Sequence, residues 1–319
     1  MYPGTSLVCL VLLLLQDVNA KRIWSYAALG DSYAAGDGAG SSTIYPHLDK
    51  FCGRFNGAYP VLLADDARLD VQPFDFQNVA CGGATTETLL FRQAHYTADK
   101  DLVTIQIGGN EVDFLPVVNE CIMQWRPFST CDRELDKSRT LIQSSDLLYA
   151  FHKLFEHINT RVRPDALILV LGYAKFFNAD TTQCNNASFS LTHPTNVLSN
   201  ELRETFNELV DMLNTVIKST AKAHGMIYVD IDKLFEGHRF CEKGVQEPHL
   251  DQDRTWFFRQ ASKHYTYAEP PAGNWVNSRQ VTIQNYGLRG SSDLTRTFHP
   301  THLAHRAIAE EILSIIETV

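Results

Sequence analysis

The feature that most constrains this chain is a recurring unit, a short apolar β-rich run that ends in small or polar residues and gives way to a helical stretch. Residues 23–29 run into Gly30-Asp31-Ser32, residues 74–79 into Ala80-Cys81-Gly82-Gly83, and residues 102–107 into Gly108-Gly109-Asn110. Two further runs follow at 166–171 and 226–231. Each reads as a buried strand entering a loop. Helical stretches are expected over 141–161 and 197–224, the second with Leu202, Phe206, Leu209, Leu213 and Val216 on one face. A last helix over 302–316 places Ala304, Ala307, Ile308, Ile312, Ile315 and Ile316 together, to pack on the sheet. Strands that alternate with helices predict βαβ units, and so an α/β fold with a central parallel sheet covered on both faces.

Two segments break the alternation: 121–136, and 235–296, which is rich in Gly, Pro, aromatic and charged residues. Long irregular segments in a compact domain are usually functional loops, and these are expected to wall a substrate cleft. The aromatic stretch 256–275 suits either a lipid cleft or a sugar platform. The 319 residues, 44% of them hydrophobic, can form one large α/β domain or two small ones. No linker, charge block or repeat divides the chain, which favours one domain over 21–319.

At the N-terminus an apolar run from Leu7 to Leu15 precedes Val18-Asn19-Ala20. The run is too short to span a bilayer, so residues 1–20 are expected to be a cleaved secretory signal peptide, with a membrane anchor as the alternative. The formal net charge is −9, and the leader carries only Asp17 among charged side chains. An acidic chain of this kind argues against a nucleic-acid partner. Of seven cysteines, Cys9 leaves with the leader, and Cys52, Cys81, Cys121, Cys131, Cys184 and Cys241 form an even set for an oxidising compartment. Count alone does not choose among the pairings. The sequential scheme, Cys52 with Cys81, Cys121 with Cys131 and Cys184 with Cys241, closes the shortest loops. The sequon Asn186-Ala187-Ser188 fits a glycosylated surface loop of a secreted glycoprotein.

In an open α/β sheet, ligands bind beyond the carboxyl ends of the strands, so the three strand-end clusters should converge there. Ser32 follows the first run among small residues that let the backbone turn sharply. A serine needs a base to take its proton. His299, before Pro300 and the final helix, is the natural base. The backbone N–H groups of Ser32 and Gly83 and the side-chain amide of Asn110 could bind a developing oxyanion. Each has a plainer alternative: a turn serine, a tight-turn glycine, and an N-cap on a helix opening at Glu111. Asp31 and Asp37 are expected to cap or make turn bonds. His299, His302 and His305 invite a metal reading, but there is no HExxH, and the last two are expected on the helix surface. No metal and no cofactor is expected.

Gly30-Asp31-Ser32-Tyr33 resembles the opening block of the SGNH (GDSL) hydrolases, residues 78–86 resemble the second block with its glycine at Gly83, Gly108-Gly109-Asn110 the third, and His299-Pro300 the last. The four occur in the family's order. The resemblance implies a flavodoxin-like three-layer α/β/α sandwich, metal-free hydrolysis through an acyl-enzyme, and Ser, Gly, Asn and His in the roles above. Two positions depart from the pattern. Tyr33 stands where Leu is usual, and Arg296 stands three residues before the histidine, where the family commonly has Asp. The chain is therefore most similar to the secreted three-disulfide esterases and lipases whose histidine is oriented by a backbone carbonyl. The Arg296 carbonyl is the expected acceptor and Asp293 the alternative. The expected function is a secreted, monomeric carboxylic ester hydrolase acting on a lipid or an acylated polysaccharide, without stable membrane insertion. The rivals are a glycan O-deacetylase or acyltransferase, and an inactive binding protein of the same fold.

Overall fold

The computed structural model describes residues 22–40, 51–124, 128–190, 193–248, 254–258, 265–266, 282–283 and 296–319. Five parallel strands form the sheet: β1 (Tyr26–Gly30), β2 (Phe76–Asn78), β3 (Leu102–Gln106), β4 (Leu167–Leu171) and β5 (Ile227–Val229). Their order is β2-β1-β3-β4-β5, the flavodoxin-like arrangement. In register, Tyr26 lies beside Phe76 and Leu102, and Leu102 beside Leu167. Every residue of the three central strands is buried, which is why they read as unbroken apolar runs rather than alternating ones.

Helices α1 (Ser32–Ala35), α2 (Tyr59–Ala64), α3 (Thr86–Arg92), α4 (Phe114–Val118), α5 (Cys131–Ile142), α6 (Ser145–Asn159), α7 (Asn200–Ala223) and α8 (His302–Ile316) complete the described layers. Helix α8 packs on α2, while α6 packs on both α3 and α7. The buried face of α8 is Ala304, His305, Ile308, Ala309, Ile312, Leu313 and Ile316, turned slightly from the expected face. Two short strands, β6 (Tyr265–Thr266) and β7 (Thr282–Ile283), pair antiparallel. Among the described residues no helix is long and apolar enough to cross a membrane.

Two readings from sequence need correction. The helix expected over 141–161 is α6, but it starts only at Ser145, because residues 141–142 close α5 and the Ser144 hydroxyl accepts the Leu147 N–H to start α6 afresh. The stretch 121–136, expected to be irregular, contains the start of α5, capped by Thr130. The charged first turn of that helix hid its period.

The disulfides join Cys52 to Cys81, Cys121 to Cys131 and Cys184 to Cys241, the sequential scheme. The last fastens the 178–185 loop, which Arg203 also binds. That guanidinium, fully buried at the start of α7, donates to the carbonyls of Leu198, Asn178 and Thr181 and to Asn185 Oδ1. An arginine held by neutral oxygens alone keeps its charge at a desolvation cost, and its pKa is lowered accordingly.

Candidate active site

The carboxyl end of β1 is shaped by Gly30. A Cβ there would lie 2.2 Å from the Gln106 carbonyl oxygen, so no other residue lets β1 and β3 close up at this point. Gln93 clasps the same residue, accepting the Gly30 N–H at 2.8 Å and donating to its carbonyl at 3.0 Å. The chain then enters α1, with Asp31 as its N-cap accepting the Tyr33 N–H at 2.9 Å. Ser32 is the first helical residue and stays partly exposed. Gly36 ends the turn in the left-handed region, packed so closely on Ala58 that a Cβ would meet it at 2.3 Å.

His299 comes to this serine across the whole length of the chain. Its Nε2 lies 2.6 Å from Ser32 Oγ, within hydrogen-bonding reach of a nucleophile and its base. Its Nδ1 faces the Thr297 carbonyl at 3.3 Å. The expected acceptor, the Arg296 carbonyl, also acts on the ring and takes the backbone N–H of His299 as well, at 2.9 Å. The Arg296 guanidinium does not reach into solvent: the residue is buried, and its charge lies over the Phe258 ring at 5.2 Å. Asp293 lies outside the described residues. Burial lowers the His299 pKa below that of a free imidazole, and the charge of Asp37 and the carbonyls of Thr297 and Arg296 oppose that shift.

The second and third strand-end loops are tied together beside the serine. Asn110 Nδ2 donates to the Ala84 carbonyl at 2.9 Å, which leaves its second hydrogen available, and the Glu111 carboxylate accepts the Thr86 N–H. Asn110 is not a helix cap, since α4 begins only at Phe114. Gly82 lies against the serine, an added Cβ coming 3.8 Å from Ser32 Cβ, but its N–H is taken by the Cys52 carbonyl at 2.9 Å. Gly83 follows at φ +75°, exposed, and its N–H has no acceptor among the described residues.

A cleft opens over these groups, lined by Ser32, Asn110 and His299 and by the apolar faces of Phe114, Leu115, Val118, Tyr173, Phe176 and Phe298. Behind it lies a buried polar network that sequence reading missed. Gly109 N–H donates to Tyr173 Oη at 3.1 Å, and that hydroxyl donates to Asp31 Oδ2 at 2.5 Å. Burial is the main cause that pushes Asp31 up to about 7, against the two hydrogen bonds that favour its anion. His305, expected on the helix surface, is buried and accepts the Tyr59 N–H through Nδ1.

The sequence model of the GDSL-like lipase/acylhydrolase family matches residues 28–307, a span that takes in both Ser32 and His299. This chain belongs to that family. Among curated proteins, this family member is 33% identical to a lipase of Streptomyces rimosus, over 70% of this chain and 76% of that one. It is also 33% identical to lipase 1 of Streptomyces coelicolor, over 68% and 72%. Among solved structures it resembles the extracellular lipase of Streptomyces rimosus at a TM-score of 0.66 and 26% identity, covering 91% of this chain and 99% of that one. The phospholipase A1 of Streptomyces albidoflavus NA297, at 24% identity and TM-score 0.65 over 92% and 99%, shares the fold. The protein is a GDSL carboxylic ester hydrolase with a three-layer α/β/α sandwich.

Proposed function

We propose that this hydrolase is a secreted lipase or long-chain esterase, matured by removal of residues 1–20 and acting as one domain over 21–319. The observation that carries the reading is the 2.6 Å approach of His299 Nε2 to Ser32 Oγ at the floor of an apolar cleft. Ser32 attacks the ester carbonyl as its proton passes to Nε2, while Nδ1–H remains on the Thr297 carbonyl. The tetrahedral oxyanion accepts from the Ser32 and Gly83 N–H groups and from Asn110 Nδ2, a donor set in which each member is worth about 3 kcal/mol of barrier. The protonated His299 returns its proton to the leaving alcohol. Water then attacks the acyl-enzyme by the same route and releases the acid.

The aromatic and aliphatic walls at Phe114, Leu115, Val118, Phe176 and Phe298 suit an acyl chain better than a sugar, whose hydroxyls would need polar partners. Glycosylation at Asn186 belongs to the same reading. Asn186 is exposed, just past Cys184, where a glycan would meet no packed surface. The test is a series of p-nitrophenyl esters from acetyl to palmitoyl, run on wild type and on Ser32→Ala, with fluorophosphonate labelling of both. Activity that rises with chain length, and is lost with labelling in Ser32→Ala, supports the proposal. Activity confined to acetyl esters would favour deacetylation of glycans. Absence of labelling in the wild type would favour an inactive binding protein.

A further inference from the structure

The imidazole of His299 meets backbone carbonyls, not a carboxylate, at its outer nitrogen. The Thr297 carbonyl at 3.3 Å is at the long end of hydrogen-bonding distance, and no carboxylate among the described residues bonds the ring. The residue before it, Phe298, has φ +66°, a left-handed backbone that a bulky side chain adopts only when its surroundings enforce it. Something must hold that peptide, because its orientation aims the ring.

Tyr33 does so. Its hydroxyl, buried, donates to the Phe298 carbonyl at 2.7 Å. Its ring lies 5.0 Å from the His299 ring, tilted by 46°. The same residue follows Ser32 in the chain, so one side chain spans from the nucleophile's own helix to the loop that carries the base. Its near end is fixed in turn: Asp31 Oδ1 accepts its N–H, and Tyr173 packs edge-on at 5.1 Å while bonding the other oxygen of Asp31.

We propose that Tyr33 is the positioning residue of the base, bonding the Phe298 carbonyl and bracing the imidazole so that Nε2 stays on Ser32 Oγ where the family's usual Asp is replaced by Arg296. This rests on the assignment of Ser32 and His299 made above. The tether supplies geometry without charge. It acts on the peptide rather than on Nδ1, so it leaves the tautomer to the Thr297 and Arg296 carbonyls. Leucine at this position has no hydroxyl to make the bond, so the departure at residue 33 and the departure at residue 296 are two halves of one substitution of means.

Tyr33→Phe keeps the ring and removes the bond; Tyr33→Leu removes both. Misplacement of a catalytic group by about 1 Å can cost about a hundredfold, so Tyr33→Phe should lower kcat by roughly ten- to a hundredfold, with KM within about twofold. Fluorophosphonate labelling should slow by the same factor, and Tyr33→Leu should fall further. Near-ultraviolet circular dichroism identifies the folded preparations. A purely structural residue would add its loss to that of any other variant, whereas one acting through the base should not. In a cycle with His299→Ala the two losses should therefore be far from additive. Undiminished kcat in folded Tyr33→Phe, or additive losses in the cycle, overturns the proposal while Ser32→Ala remains inactive. Full activity in Ser32→Ala instead removes the assignment on which it rests.

Discussion

Asp31 is the strongest test of the electrostatics behind Ser32. It is almost wholly buried, its oxygens accept from Tyr173 Oη and the Tyr33 N–H, and burial outweighs those bonds to bring its pKa to about 7. An unfolded aspartate titrates near 3.9, so the shift is about three units, and at about 1.4 kcal/mol per unit it corresponds to about 4 kcal/mol. Below about pH 4 both states hold the proton and the group contributes nothing. As the pH rises from there to about 7, the unfolded chain ionises first, and the folded state loses stability by up to that amount. Above about 7 the loss is constant. Asp31→Asn removes this titration. Its amide still accepts the Tyr33 N–H but presents a donor to Tyr173, whose oxygen already accepts from Gly109, at a pH-independent cost of about 1–3 kcal/mol. Urea unfolding of both proteins at intervals from pH 4 to 8 gives the difference in stability. That difference should move in favour of the variant by about 4 kcal/mol across the range. A difference that stays flat, or one that moves toward the wild type, would refute the reasoning.

Asn110→Ala should lower kcat by about a hundredfold or more with little change in KM, because an oxyanion donor acts in the transition state; an effect on KM alone would make Asn110 a substrate-binding residue. The burial that lowers the His299 pKa places the acid limb of kcat/KM below that of a free imidazole, and since the Asp37 charge opposes the shift, Asp37→Asn should move the limb lower still. An upward move in the pH profile would contradict it. Asp293→Asn should change turnover by less than about tenfold, against about ten-thousandfold for loss of a true triad aspartate, and a collapse of activity in the folded variant would convert the dyad into a triad.

The strands, their parallel arrangement and the meeting of Ser32, Asn110 and His299 at one sheet edge were legible because each depends on short-range signals. A run such as Leu167–Leu171 is apolar throughout only when both faces are covered, and a strand that stops in Gly-Asp-Ser or Gly-Gly-Asn announces a loop at a fixed end of the sheet. Helix boundaries inside 121–161 were hidden because Ser144 and Thr130 can cap or simply turn, and only the fold says which. The burial of His305 was unreadable because its partner, the Tyr59 N–H, belongs to a helix far away in sequence. The family spacing names one acceptor for the imidazole, the Arg296 carbonyl, and the ring meets a second that the spacing does not name, the Thr297 carbonyl, where the chain turns through the left-handed Phe298. The hydroxyl of Tyr33 was not legible because the carbonyl it bonds lies 265 residues away.

In the proposed mechanism, the loop after β2 holds two adjacent glycines that differ in whether their N–H groups are free to meet an oxyanion. Gly82 and Gly83 are equivalent in sequence, and Gly82 is the one in contact with the serine. The Cys52–Cys81 bond brings the 52–54 segment against this loop, and there the Cys52 carbonyl takes the Gly82 N–H. A backbone N–H already paired with a carbonyl would have to give up that bond to serve an oxyanion, so it offers little net stabilisation in the transition state. Gly83, at φ +75°, has no acceptor for its N–H among the described residues. On the mechanism proposed above, the first glycine is thus occupied by the disulfide-bonded segment, and the second is the one whose N–H can serve the oxyanion.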